Sequence, residues 1–72
     1  MKIYNNANLT YINLDSNKID KLQVGIFDRN KQLEKIHCND NEITSLDNGL
    51  LYQNTRLIEF KAMDNLISDI QG

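Results

Sequence analysis

His37 and Cys38 are adjacent in this 72-residue chain, and their types suggest a general base beside a thiol nucleophile. Geometry removes that pairing if the segment is extended. Successive side chains along a strand point to opposite faces, so the imidazole and the thiol cannot meet. Cys38 is therefore expected in the core as a small hydrophobe, and His37 on the solvent face as a surface residue or ligand contact. Asp15, Asp40 and Asp64 raise a second chemistry, cation binding. A calcium ion takes about six to eight converging oxygens. Carboxylates spread one per segment do not converge, so a solvated acidic edge is expected and no metal is assigned. Asn8-Leu9-Thr10 is an acceptor sequence for N-glycosylation, which has meaning only if the protein enters the secretory pathway. No phosphate-cradling loop and no nucleophile–base pair remains, so no catalytic residue is assigned, no enzymatic activity is expected and no cofactor is implied.

Composition narrows the partners. Eight basic against ten acidic residues give a net charge of −2, which leaves no basic field for a nucleic acid. No apolar run approaches the roughly 20 residues of a membrane span, so no direct membrane insertion is expected. The opening Met-Lys-Ile-Tyr-Asn-Asn lacks the apolar centre of a secretion signal, and any signal is expected upstream. With Cys38 the single cysteine, an internal disulfide is excluded and a cysteine-based zinc site is implausible. A chain this small buries only roughly 60% of its unfolded surface in a single core. Stacking of repeats is the stabilisation left to it.

The elements that must position these residues follow from self-similarity. Leu9 to Asn17, Leu33 to Asn41 and Leu57 to Asn65 superimpose at a spacing of 24 residues. The shared columns are Leu9/Leu33/Leu57, Ile12/Ile36/Phe60, Leu14/Cys38/Ala62, Asn17/Asn41/Asn65, Ile19/Ile43/Ile67 and Leu22/Leu46/Ile70. The return halves share Gly25/Gly49, Ile3/Phe27/Leu51 and Asn6/Asn30/Asn54. The organisation is a partial repeat at 1–8, full repeats at 9–32 and 33–56, and a partial repeat at 57–72, as expected of a piece cut from a longer array. Alternation around Ile12 predicts a short strand with Ile12 and Leu14 inward and Tyr11, Asn13 and Asp15 outward. Identical columns at fixed spacing predict parallel strands stacked in register. The returns, broken by Gly, Asn and Asp, predict turns with at most one short helical turn. Leu14, Cys38 and Ala62 shrink in that order, so the core is expected to thin towards the C-terminus.

This pattern, Leu-x-x-Leu-x-Leu-x-x-Asn-x-Leu over the whole chain, resembles the leucine-rich repeat. Gly25-Ile26-Phe27 and Gly49-Leu50-Leu51 look like the return element of its typical 24-residue subclass, found in animal extracellular and cell-surface proteins. The resemblance implies an α/β-type repeat solenoid of horseshoe shape, with parallel strands on the concave face and mostly turns or 3-10 pieces on the convex side. It also implies a structural asparagine ladder at Asn17, Asn41 and Asn65. Its functional expectation is an extracellular receptor, adhesion or innate-immunity protein, in which case Asn8 becomes a glycosylation candidate.

With the apolar columns turned inward, the ligand-binding concave face comprises Tyr11, Asn13, Asp15, Lys35, His37, Asn39, Glu59, Lys61 and Met63. Thr10/Glu34/Ile58 and Ser16/Asp40/Asp64 flank it. Lys35 beside Glu59 is an expected cross-strand pair. Tyr, Met and mixed charges suit a protein ligand, because aromatic and thioether groups give contact area while charges fix register. The competing expectation is a structural spacer or dimerisation segment. Ile58, Met63 and Leu66 are apolar where the other repeats are polar, which suits either a ligand patch or a surface covered by further chain. Uncapped ends predict self-association.

Overall fold

The computed structural model describes residues 7–67 and 69–70. Ile3 and Asn6 of the first partial repeat, and the close of the last one at residues 71–72, lie outside the described residues.

Five short strands are present: β1 (Tyr11–Asn13), β2 (Lys35–His37), β3 (Ser45–Leu46), β4 (Glu59–Lys61) and β5 (Asp69–Ile70). β1, β2 and β4 form a parallel sheet in that order. Tyr11 pairs with Lys35 and Lys35 with Glu59, while Ile12, Ile36 and Phe60 line up behind them. The register is that of the 24-residue spacing. A one-residue slip would carry the Ile12 column to solvent, so burial of one face pins it. Backbone pairing extends past the strands on both sides: Glu34 N–H donates to Thr10 C=O, and Asp40 N–H to Met63 C=O.

Three residues beyond the end of each strand of this sheet the chain bends through a left-handed residue: Ser16 (φ 58°), Asp40 (φ 56°) and Asp64 (φ 55°). Short polar side chains tolerate this conformation by bonding locally. Asp40 and Asp64, read from sequence as an acidic edge, are thus explained by the backbone they occupy. Gly25 (φ 98°) and Gly49 (φ 88°) serve a like purpose in the returns. A Cβ at Gly49 would meet nothing within 4 Å, so the dihedral angle and not crowding requires glycine.

Each return is a train of tight turns. Residues 26, 28, 30 and 33 donate N–H to the carbonyls of 23, 25, 27 and 30, and residues 50, 52, 54 and 57 do the same one period later. No helix occurs among the described residues, so the return side consists of turns rather than 3-10 pieces. Sequence alone gave no sign of the second parallel sheet, β3 with β5, in which Ser45 pairs with Asp69 and Leu46 with Ile70.

Between strands and returns lies one core of Ile12, Leu22, Phe27, Leu33, Ile36, Cys38, Ile43 and Leu50. Leu50 is buried while Leu51, the expected core residue, is half-buried. The first coil adds partly buried Leu9, Leu14 and Ile19, and the third adds partly buried Leu57, Phe60, Ala62 and Ile67.

Asparagines close the corners. Asn41 Nδ2 donates to the carbonyls of Leu14 (3.0 Å), Cys38 (3.1 Å) and Asn39 (2.9 Å), and its Oδ1 accepts Ile19 N–H (3.1 Å). Asn65 repeats the arrangement with Cys38, Ala62 and Met63 carbonyls and Ile43 N–H. Among the described residues Asn17 bonds its own coil, to Leu14 and Asp15, and is exposed. A second row runs through the returns, where Asn54 Nδ2 donates to Phe27 C=O (2.9 Å) and Asn30 C=O (3.0 Å). Removing the Asn41 amide strands several backbone groups at about 1–3 kcal/mol each. The expected outcome of Asn41→Leu is a melting temperature at least about 10 °C lower, against a change of a degree or two for the exposed Glu42→Leu. Thermal denaturation followed by circular dichroism checks it.

Candidate ligand-binding face

The outward residues of β1, β2 and β4 form an open face, and a row of polar groups crosses all three strands. Asn13 Nδ2 donates to the Tyr11 hydroxyl (3.0 Å). The hydroxyl lies 3.3 Å from His37 Nδ1, and His37 Nε2 lies 2.6 Å from Glu59 Oε2. An ionised carboxylate only accepts, so Nε2 carries a proton. In the neutral imidazole Nδ1 then accepts the Tyr11 O–H, and every bond of the row runs in one direction, from Asn13 to Glu59. The Tyr11 and His37 rings meet edge to face, centroids 5.1 Å apart and planes at 78°. Such pairs add about 0.5–1.5 kcal/mol beyond their buried area and hold the imidazole in place.

This row revises two expectations. His37 is half-buried at the centre of the face and is no ordinary surface residue. Glu59, expected to pair with Lys35 directly opposite, bonds His37 instead. An imidazole already fixed by Tyr11 loses less rotamer freedom than a lysine in making that contact. The hydrogen bond from His37 is the chief cause holding the Glu59 carboxyl below its usual range; desolvation opposes it, and Lys61 and Lys35 add to it.

Asp15 and Asn39 also lie on the face, but their oxygens serve the scaffold. Asp15 Oδ1 accepts Asn39 N–H (2.6 Å) and Asn39 Oδ1 accepts Met63 N–H (2.7 Å). Asn13 Oδ1 accepts Asp15 N–H (2.9 Å). Each coil's Asx side chain thus caps a backbone amide of the next, a device that the column Asp15/Asn39/Met63 did not reveal because Met63 breaks the residue type. Tyr11, Asn13, Lys35, Lys61 and Met63 are the exposed members of the expected set. Beside them an open recess is lined by Thr10, Tyr11, Glu34, Lys35 and His37. Thr10 and Glu34, placed by sequence only on the flank, therefore share the site.

Cys38 lies on the opposite side of β2, fully buried, with its thiol 3.3 Å from Lys61 C=O. Burial, reinforced by the Asp15 carboxylate, pushes its pKa up to about 11 from an ordinary 9.0. A protonated thiol with no base in reach is a packing group. Among the described residues no group of three or more His, Cys, Asp or Glu is placed to hold a metal ion.

The family model described as leucine rich repeat matches residues 7–67. No curated protein matches the chain.

Because the folded thiol ionises about two units above the unfolded one, the unfolded chain loses its proton first as pH rises. The stabilising difference is intact below pH 9 and declines between about 9 and 11. Chemical denaturation across that range should show the native protein losing on the order of 2 kcal/mol more than Cys38→Val. Thiol labelling is expected to be slow in the fold and fast in denaturant.

Proposed function

The chain belongs to the leucine-rich repeat family, and on that footing we propose that it is a recognition module that binds a protein ligand through the face of β1, β2 and β4. The observation that carries the reading is the pre-ordered row Asn13–Tyr11–His37–Glu59. It presents an aromatic ring and a hydrogen-bonded carboxylate on paired strands, flanked by the exposed cations Lys35 and Lys61. Ordering these groups before binding lowers the entropic cost of association. Tyr and His supply area, and the charges supply register. The face is open, and no group in it faces a position where a reacting atom would be enclosed, which favours binding over catalysis.

We place the protein outside the cell or at its surface, as a 24-residue-type array of receptor, adhesion or immune character. The resemblance of Gly25-Ile26-Phe27 and Gly49-Leu50-Leu51 to the return element of that subclass, together with the exposed acceptor residue Asn8, supports that reading. Expression through a eukaryotic secretory pathway, with Asn8→Gln as control, should give a glycan-dependent mass difference at Asn8.

The binding role is tested by replacing Tyr11, Lys35, His37 and Lys61 together with alanine. Peptides selected from a random display library against the native protein are expected to lose affinity by at least about 100-fold for this variant. Retained affinity would place recognition elsewhere on the coils.

A further inference from the structure

His37 is the single histidine of the chain, and it sits on the middle strand of the sheet with a polar partner on each side. While the ring is neutral, Nε2–H is given to Glu59 and Nδ1 accepts the Tyr11 O–H, so the hydroxyl donates to the imidazole and accepts from Asn13. An imidazolium has two donors and no acceptor. Nδ1–H must then be accepted by the Tyr11 oxygen, which keeps a second lone pair for Asn13 Nδ2–H. Every contact of the row survives, but the phenolic proton is expelled from it. Because Tyr11 is exposed, that proton turns towards solvent or a ligand. The row is therefore complete in two protonation states that differ in what Tyr11 offers to a partner.

The groups around the ring suit this exchange. β1 brings Tyr11 to it, with Asp15 beyond the strand end; β4 brings Glu59 and, directly opposite in register, Lys61; its own strand carries Lys35, preceded by Glu34. Within the row an imidazole is the group that titrates between about pH 5 and 8. Glu59, held below the usual carboxylate range chiefly by the His37 hydrogen bond, stays ionised to receive the imidazolium.

We propose that proton uptake by His37 turns the recess lined by Thr10, Tyr11, Glu34, Lys35 and His37 into a site for a carboxylate side chain of the protein ligand, so that binding tightens in acid. This rests on the recognition role proposed above and adds its ligand chemistry and its regulation. In the neutral row the Tyr11 oxygen offers a partner only a lone pair. In the protonated row it offers an O–H, beside the Lys35 ammonium and a cationic ring, and a carboxylate accepts charge-assisted hydrogen bonds from such donors. Glu34 and Lys35 offset one another in the recess, so the proton on His37 supplies the positive charge that a carboxylate needs there.

Two measurements test it. In the ligand-free protein, nitrogen NMR of the single imidazole and carbon NMR of the Tyr11 ring are expected to titrate with one midpoint, the imidazole passing from the Nε2–H tautomer to the imidazolium. Peptides containing Asp or Glu, selected against the native protein from a random display library at about pH 5.5 and synthesised with an amidated C-terminus, are expected to bind at least about tenfold more weakly at about pH 7.5. Exchanging the acidic residue of the peptide for its amide should remove that dependence, and so should Tyr11→Phe, which keeps the ring and deletes the hydroxyl. A Tyr11 ring that does not respond to the His37 titration overturns the proposal. So do face-bound acidic peptides whose affinity is equal at both pH values or keeps its pH dependence in Tyr11→Phe. Peptides that bind the fourfold alanine variant as well as the native protein refute the recognition role and carboxylate binding with it, whereas the hydroxyl reversal stands or falls on the ligand-free titration.

Discussion

Every coil of this protein depends on the corner that follows its strand. There the chain enters a left-handed residue and leaves the sheet, and the carbonyls and amides around the bend lose their regular partners. Buried backbone groups without partners cost about 1–3 kcal/mol each, enough to unfold a chain this small. Asparagine meets the need because one amide offers two donors and an acceptor in a rigid plane. Asn41 spends its donors on both its own coil and the preceding one, and its acceptor on Ile19. A single side chain therefore closes the corner and fixes the stacking distance between coils. Register in the strands follows from it, and with register the composition of the exposed face.

The stacking order was legible because it is written in residue identity at constant spacing. Leu33, Ile36 and Asn41 have counterparts in both neighbours, and the observed pairing of Ile36 with Ile12 and Phe60 reproduces those columns. What escaped was structure that leaves no conserved type in its column. Asp15 and Asn39 cap the next coil through an oxygen that Met63 lacks, so three copies do not display one rule. The β3–β5 pairing rests on two residues per strand, too short for alternation to register. Leu50 against Leu51 is a choice between adjacent leucines, made by how a turn is rotated and not by hydrophobicity.

The face shows the same division. Period-two alternation assigned its members and separated His37 from Cys38, because facing is a property of the backbone alone. It could not say which outward groups touch. That depends on side-chain reach across strands, and Glu59 is within reach of both Lys35 and His37. The imidazole prevails because Tyr11 holds it from the other side, a three-body effect that no pair of columns contains.

Scaffold and face are consequently coupled. Tyr11, His37 and Glu59 come from three coils, and their contacts exist only while the corners hold those coils at one spacing. A change at Asn41, buried and remote from solvent, would loosen the row as surely as a change within it. The converse is weaker: His37 could be lost and the backbone ladder would persist, since no corner bond passes through the imidazole. Side chains on the face can therefore vary without endangering the fold. Those at the corner cannot, and this asymmetry is what lets one stack of coils carry different binding surfaces.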